Sequence, residues 1–203
     1  MSALVWRLTT PMRAIASTAL GGGIGACGWV LNAQVASDYA RTDPAAHLAE
    51  LARILRCNGP GVGFLTAARV DRWTTGSDGG VDTYATVGLR LPIWAAVPGS
   101  ADEHETAPGT INIVAFSPVA LSDAALVNAV ITVTEAKTQA LLEHDVDGTG
   151  TASDAVCVLA PLDRETEAFC GPRSPVGSAL ARAAYGAVAA GVRGRAADDG
   201  RDR

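Results

Sequence analysis

The chain has 203 residues, of which 48% are hydrophobic and 18% charged, and its formal net charge is -5. This apolar content is enough for a folded core and excludes a disordered chain, and the length favours one compact domain. Arg and Lys do not cluster before residue 193, so nucleic acid is not expected as a partner, because phosphate binding needs a concentrated basic surface.

The chain opens with two predicted strands, residues 4–8 and 13–17, separated by a turn at Thr9, Thr10 and Pro11. Residues 14–31 carry no charge and resemble a membrane segment in length. Five glycines make this stretch a poor helix, because each interior glycine costs about 1 kcal/mol relative to alanine. The pattern favours a strand, a glycine loop at residues 21–23 and a second strand, so we expect no membrane insertion.

The middle of the chain is predicted to be rich in strands. After an apolar run at residues 29–35, Asp43 and Pro44 predict the N-cap and first position of a helix, which ends at residues 58–60. Short β-branched runs separated by Gly, Asp and Pro then predict further strands. These strands cover residues 62–68, 81–89, 93–97 and 110–116, with an acidic loop over residues 99–108.

The last third contains the longest predicted helix, which is capped by Ser122 and Asp123 and runs to about residue 143. A strand at residues 155–159 and a helix from Pro175 to about residue 192 follow, and residues 193–203 are expected to form a disordered charged tail. Because strands and helices do not alternate regularly and no linker divides them, residues 1–192 are predicted to form a single layered α/β or α+β domain. We expect it to have a mixed sheet and about three main helices.

The four cysteines, Cys27, Cys57, Cys157 and Cys170, are widely spaced and form no C-x-x-C pair. The three histidines do not lie at ligand spacing from them, and His104 beside Glu105 is too little to predict a metal site. The sequence therefore predicts no metal centre and no disulfide framework, and it favours a reducing compartment.

Lys137 is the only lysine among 16 basic residues. A compact ammonium cannot be copied by a planar guanidinium, so a chain this rich in Arg keeps a Lys most readily where that geometry matters. At 100° per residue, Lys137 also shares the apolar face of its helix with Leu126, Val133 and Leu141. We therefore expect its amine to reach a carboxylate, a cavity or a ligand, the alternative being an amine that extends to the surface.

Glu135 lies two residues from Lys137 and points almost the opposite way on a regular helix, so the two should not pair. By itself it has the pattern of a solvated surface carboxylate.

A second group of candidates lies in the turn at residues 147–154, which leads into an apolar strand. Gly148 and Gly150 lack side chains, so the backbone of the turn can approach a ligand closely. Thr149, Thr151 and Ser153 offer hydroxyls that could act as nucleophiles or hydrogen-bond donors, and Asp154 could orient or deprotonate one of them. The alternative is a surface turn with local capping.

Two weaker motifs accompany these candidates. Thr110 and Asn112 enter an apolar strand, where an amide either pairs within the core or polarises a ligand carbonyl. Gly22 and Gly23 belong to a loop that either allows close approach of a ligand or only turns the chain.

The ordered set of motifs resembles the adenosylcobinamide amidohydrolase family over roughly residues 7–192. The resemblance is most specific in the run Thr-Glu-Ala-Lys-Thr at residues 134–138 followed by the Gly-Thr turn at residues 148–154. It also takes in residues 21–23 with Asn32 and Val35, and residues 64–68, 87–89 and 109–114. Ala152 stands where the family tends to carry a hydroxyl residue, and Ser174 stands where threonine is expected.

This resemblance implies hydrolysis of the amide between the aminopropanol arm and the corrin ring of adenosylcobinamide, in prokaryotic cytoplasm. The corrinoid is then a substrate, and no separate organic cofactor is implied. Two alternatives are a non-catalytic corrinoid-binding protein and an amidase acting on another amide. The number of subunits is not indicated by any motif.

The candidate residues fall into two groups, whose roles rest on residue chemistry. The candidate catalytic residues are Lys137, Asp154, Thr151, Thr149 and, because of the family motif, Glu135. The candidate substrate-binding residues are Gly22, Gly23, Asn32, Thr110, Asn112 and Gly150.

Overall fold

A computed structural model of the protein describes residues 2–96, 109–163 and 166–199. Its strands are β1 (Ala3–Ala16), β2 (Gly23–Gln34), β3 (Val62–Thr66), β4 (Thr74–Asp78), β5 (Val81–Gly88), β6 (Thr110–Phe116) and β7 (Ala155–Ala160). Its helices are α1 (Pro44–Ile54), α2 (Asp123–Leu142) and α3 (Pro175–Asp199), with a single 3-10 turn at Val70–Arg72. His104 and Glu105 lie outside the described residues.

All seven strands belong to one sheet in the order β3-β2-β1-β7-β6-β5-β4. The pairs β2/β3 and β6/β7 are parallel, and the other neighbouring strands are antiparallel. This mixed sheet with three α-helices confirms the predicted single-domain α/β architecture.

The sheet curls so that its two halves pack against each other. Asn32 on β2 donates a hydrogen bond to Thr86 on β5, although three strands separate β2 from β5 in the sheet order. The ring of Trp6 on β1 likewise lies 5.5 Å from that of Tyr84 on β5. Apolar side chains from both halves fill the space between them, among them Val30, Phe64, Val114, Cys157 and Leu159.

The helices cover the two outer faces of the curled sheet. Helices α2 and α3 bury the larger apolar core against β5, β6 and β7, whereas α1 packs Leu48 and Leu51 against β2. The domain therefore has four layers: α1, the two halves of the sheet, and the pair α2 and α3. Apolar faces of the helices and the sheet are buried between these layers.

Strand β1 is continuous, in contrast to the two strands and a turn predicted for residues 4–17. Its pairing with β2 shifts register between Arg7 and Met12, and Pro11 lies within this irregular segment. A proline is tolerated there because a bulge does not require its missing N–H in the ladder. Beyond the irregularity, Arg13–Ala16 also pair with β7.

The predicted strand–glycine loop–strand over residues 14–31 is confirmed by β1 and β2. Gly21 has a φ of 72°, and a side chain there would overlap the carbonyl oxygen of Gly61. The glycine loop is thus shaped by close contact with the chain itself. In the part of the chain described, no helix has both the length and the apolar character needed to cross a membrane.

Several further elements differ from the predictions. Helix α1 ends at Ile54, before the predicted end at residues 58–60. Strand β4, whose sequence is Thr-Thr-Gly-Ser-Asp, was missed because it lacks apolar alternation. Of the predicted strand at residues 93–97, only an isolated bridge between Ile93 and Gly150 forms within the described residues. Helix α3 continues past residue 192 to Asp199, because the good helix formers Arg and Ala outweigh Gly194. Residues 200–203 of the expected tail lie outside the description.

Helix starts were predicted more accurately. Ser122 caps α2 by accepting a hydrogen bond from the backbone N–H of Ala125. Ser174 caps α3 in the same way, because its hydroxyl accepts from the N–H of Gly177 at 3.1 Å. A threonine supplies the same hydroxyl, so this departure from the family pattern keeps the cap.

Candidate active site

Lys137 and Asp154 form a buried ion pair between α2 and the turn that precedes β7. The Nζ of Lys137 lies 2.5 Å from Oδ2 of Asp154, and the two side chains are only 9% and 12% exposed. Lys137 reaches this position because it lies on the buried face of α2 with Val133 and Leu141. The expectation that its amine reaches a carboxylate is therefore confirmed.

Asp154 is the centre of the cluster because both of its oxygens accept two hydrogen bonds. In addition to Lys137, Oδ2 accepts from the backbone N–H of Thr151 at 3.1 Å. Oδ1 accepts from the backbone N–H of Ile111 at 2.9 Å and lies 2.5 Å from Oγ1 of Thr151. These four donors fix the orientation of the carboxylate.

The hydroxyl of Thr151 faces two acceptors, although it has a single hydrogen to donate. Its Oγ1 lies 2.8 Å from the carbonyl oxygen of Gly109 as well as 2.5 Å from Asp154. The residue is 8% exposed. A carboxylate at this distance can take the hydroxyl proton, which is the arrangement that activates an oxygen nucleophile or a water molecule.

Gly150 provides the space in which the ion pair forms. A side-chain carbon at this position would lie 2.5 Å from Nζ of Lys137 and would also overlap Oδ2 of Asp154. The glycine predicted for close approach of a ligand thus allows the close approach of the chain's own charged groups.

Thr149 has a different environment from Thr151. Its hydroxyl accepts from the backbone N–H of Ala95 at 3.0 Å and lies 3.3 Å from the carbonyl oxygen of Ile93. The indole N–H of Trp94 also donates to Asp147 at 2.8 Å. These contacts attach the turn to residues 93–95, so the hydroxyl of Thr149 is engaged in holding the turn in place.

Ser153 is the exposed hydroxyl of the turn, directly before Asp154. Its Oγ lies 2.9 Å from Oγ1 of Thr110 and 3.1 Å from the carbonyl oxygen of Gly109. In the sequence it was one of three hydroxyls in the turn, and nothing distinguished it from the threonines. Its position beside Asp154 is the feature that marks it, and exposure is visible only in the structure.

Asn32 and Asn112, predicted separately, meet in a buried network between the two sheet halves. The Nδ2 of Asn112 donates to Oδ1 of Asn32 and to the carbonyl oxygen of Leu65, both at 3.0 Å. Asn32 in turn donates to Thr86 at 3.0 Å.

A cavity of about 150 Å³ opens between this network and the turn. Asn112 and Ser153 line it, together with Ser17 and Thr18 from the loop after β1. Apolar groups of Leu48 and Phe64, among others, complete the wall. The turn contributes Ser153 and Ala155 to the cavity, whereas the side chain of Asp154 between them faces Lys137 on α2.

Glu135, Gly22 and Gly23 are not brought to the ion pair. Glu135 is exposed and lines a groove of about 500 Å³ on α2 with Thr138 and Leu142. Gly22 lines a separate cavity of about 330 Å³ beside Trp29, and nothing lies within 4 Å of a side-chain carbon built on Gly23. The opposite orientations predicted for Glu135 and Lys137 are thus confirmed.

Cysteine chemistry is disfavoured in the core. Burial raises the pKa of the Cys157 and Cys27 thiols, so neither forms the reactive thiolate readily at neutral pH. All four cysteines are free, and the described residues contain no cluster of three or more His, Cys, Asp or Glu that could hold a metal ion.

Comparison with known proteins identifies relatives over most of the chain. A protein of Methanosarcina mazei named adenosylcobinamide amidohydrolase is 33% identical over 158 residues, which span 78% of this chain and 72% of that relative. A protein of Halobacterium salinarum with the same name is 39% identical over 123 residues, which span 58% of this chain and 52% of that relative.

A solved structure of a Pyrococcus horikoshii OT3 protein aligns over 89% of this chain and 72% of its own, with a TM-score of 0.41 and 12% identity. The sequence profile of the adenosylcobinamide amidohydrolases matches residues 1–199. The chain therefore belongs to the adenosylcobinamide amidohydrolase family.

Proposed function

We propose that the protein hydrolyses the amide between the aminopropanol arm and the corrin ring of adenosylcobinamide. The products are adenosylcobyric acid and 1-amino-2-propanol. The observation that carries this proposal is the family match over residues 1–199, and the names of the two archaeal relatives support it.

The reaction adds one water molecule to one amide. The oxygen of water, or first that of a hydroxyl side chain, attacks the carbonyl carbon, and the C–N bond breaks. The amine leaves after gaining a proton, and the carbonyl carbon becomes a carboxylic acid. Such a reaction needs a base to activate the attacking oxygen, a proton donor for the amine and stabilisation of the developing oxyanion.

The carboxylate of Asp154 has a hydroxyl and an ammonium within hydrogen-bond distance. Asp154 is the base or orienting group, since its Oδ1 lies 2.5 Å from the hydroxyl of Thr151. Thr151 is the nucleophile or a hydrogen-bond donor, and Lys137 is the base or the group that stabilises the developing negative charge.

Thr149 and Glu135 remain weaker candidates. The hydroxyl of Thr149 is already bound to residues 93 and 95, and Glu135 lies in the groove on α2. The corrinoid is the only small-molecule partner that we propose, with no further organic cofactor, no metal and no nucleic acid. A reducing cytoplasm is the proposed compartment, which agrees with four free thiols.

The test is incubation of the purified protein with adenosylcobinamide followed by chromatographic separation of the corrinoids. We expect adenosylcobyric acid and 1-amino-2-propanol in equal amounts, and Lys137→Ala should abolish their release while the protein stays folded by circular dichroism. Retained activity in that variant removes Lys137 from the mechanism, and loss in Glu135→Gln instead moves the reacting centre to the groove on α2.

Two other outcomes identify the alternative functions. Binding of adenosylcobinamide without new adenosylcobyric acid supports a non-catalytic corrinoid-binding protein. Failure to bind any corrinoid favours an amidase that acts on another amide.

A further inference from the structure

The side-chain oxygen of Asn112 is a buried hydrogen-bond acceptor that has no partner among the residues described. Asn112 is 1% exposed, and its Oδ1 makes no hydrogen bond to residues 2–96, 109–163 or 166–199. An unpaired buried polar atom costs about 1–3 kcal/mol, so such an atom in a native protein calls for a partner that the chain does not supply.

The orientation of this amide is fixed by its neighbours. Its nitrogen faces the carbonyl oxygen of Leu65 at 3.0 Å, and a carbonyl oxygen can only accept. Turning the amide over would place two acceptors against each other, so the oxygen is the unpaired atom. Asn112 therefore cannot polarise a ligand carbonyl, which needs a donor, but it can accept from an O–H or N–H group.

The cavity beside Asn112 has the size and lining for a short polar arm. Its volume of about 150 Å³ is far more than the roughly 15 Å³ that one water molecule needs. The lining is amphipathic: it includes the apolar Leu48 and Phe64 and the amide of Asn112, whose unpaired Oδ1 is itself buried.

The other hydroxyls of the cavity are already bound. Ser17 accepts from the backbone N–H of Val156 at 3.1 Å, and Thr18 donates to the carbonyl oxygen of Leu20 at 2.9 Å. Ser153 is paired with Thr110 at 2.9 Å. Asn112 is therefore the group in this cavity best able to recognise a new hydrogen-bond donor.

The lining residues differ in exposure. Ser17 and Ser153 are exposed, whereas Asn112, Leu48 and Phe64 are buried. A short arm that enters past the exposed serines would bring its far end towards the buried Asn112.

We infer that this cavity is the subsite for the amino alcohol arm and that Asn112 accepts a hydrogen bond from the hydroxyl of that arm. The inference rests on the proposed function and makes it more specific: the enzyme selects hydroxylated arms over plain alkyl arms. Asn112 is a specificity residue in this scheme and takes no part in the proton transfers.

The experiment combines a protein change with a substrate change. Wild type and Asn112→Ala are assayed with adenosylcobinamide and with an analogue whose arm is propylamine, which lacks the hydroxyl. Thr86→Val is the matched control, because it breaks one hydrogen bond of the same buried network and keeps the Asn112 oxygen. A third substrate, methylated on the amide nitrogen, lacks the N–H donor.

We expect the kcat/KM of wild type to fall about 3- to 10-fold when the hydroxyl is removed, as for one hydrogen bond. Asn112→Ala should lose this discrimination and Thr86→Val should keep it. Equal activity of wild type on both arms overturns the inference, as does an Asn112→Ala variant that still discriminates. The N-methyl substrate tests the other possible donor. If wild type discriminates against this substrate and Asn112→Ala does not, while Asn112→Ala still discriminates between the two arms, the donor is the amide N–H and the inference is overturned.

A binding measurement separates this inference from the proposed function. Nuclear magnetic resonance of the labelled wild type follows the side-chain amide of Asn112 during titration with 1-amino-2-propanol or propylamine. A shift of this signal with the amino alcohol alone supports the subsite even if no corrinoid is hydrolysed. The opposite result is also possible. If adenosylcobinamide is hydrolysed, the Asn112 signal does not move and kcat/KM is equal for both arms, the proposed function is supported and the subsite is overturned.

Discussion

Lys137 on α2 and Asp154 in the turn before β7 form an ion pair, with Nζ 2.5 Å from Oδ2. Both side chains are nearly excluded from solvent. Two buried charges are costly to desolvate, and their attraction compensates only when the remaining hydrogen bonds are satisfied. Asp154 meets this condition through the backbone of Thr151 and Ile111, so the pair orders the turn as well as placing charge beside Thr151.

Removal of the lysine alone should leave a buried carboxylate without its counter-charge. We expect Lys137→Met to lower the free energy of unfolding by about 3–5 kcal/mol and to abolish amide hydrolysis. Urea unfolding followed by fluorescence, together with the corrinoid assay, measures both effects.

The double variant Lys137→Met, Asp154→Asn is the control, because it removes both charges. We expect it to recover part of the lost stability and none of the activity, because the amide nitrogen of Asn cannot accept from the second backbone N–H. Recovery of activity with stability would show that the ion pair has a structural role only.

Gly150→Ala should separate the ion pair without removing either charge. The added carbon overlaps the carboxylate and lies 2.5 Å from Nζ of Lys137, so one of the two side chains has to move. We expect a loss of about 3 kcal/mol in stability and at least about a tenfold loss of kcat.

Gly25→Ala is the matched control, since nothing lies within 4 Å of its added carbon and its φ is not in the left-handed region. It should change stability by less than about 1 kcal/mol. Equal effects of the two substitutions would contradict the steric argument.

The local features of this site follow from the sequence because they depend on short-range periodicity. Helical spacing was enough to place Lys137 on the buried face and Glu135 on the exposed face. Ser122 could be recognised as a cap, and β6 has the predicted bounds because its run of apolar and β-branched residues is bounded by Gly109 and Ser117.

The features that depend on contacts between distant segments could not be predicted in this way. Asn32 and Asn112 are 80 residues apart, and they meet only because the sheet curls. Strand β4 depends on pairing with β5, since its polar residues have no strand pattern of their own. The unpaired oxygen of Asn112 likewise depends on the position of the Leu65 carbonyl, which no local pattern indicates.

Thiol labelling tests the core between the two sheet halves. Burial raises the pKa of Cys157 and Cys27, and burial followed by the charge of Glu167 raises the pKa of Cys170 to about 11. Iodoacetamide at pH 8 should therefore modify half-buried Cys57 first in the native protein.

Mass spectrometry of tryptic peptides locates the label. In denaturant all four cysteines should react at similar rates, which controls for intrinsic reactivity. Native labelling of Cys157 as fast as that of Cys57 would contradict the packing of the two sheet halves described above.

The two threonines of the turn should respond differently to loss of their hydroxyls. Thr151 shares its hydrogen with Asp154 and Gly109, whereas Thr149 binds the segment at residues 93–95. Thr151→Val should therefore lower kcat by about 100-fold or more, as expected for a group that takes part in proton transfer. Thr149→Val should cost about 1 kcal/mol in stability, as for one hydrogen bond, and change kcat by less than about threefold.

The contrast is measured by steady-state kinetics with adenosylcobinamide and by urea unfolding of both variants. A larger loss of kcat in Thr149→Val than in Thr151→Val would assign the reacting hydroxyl to Thr149 instead.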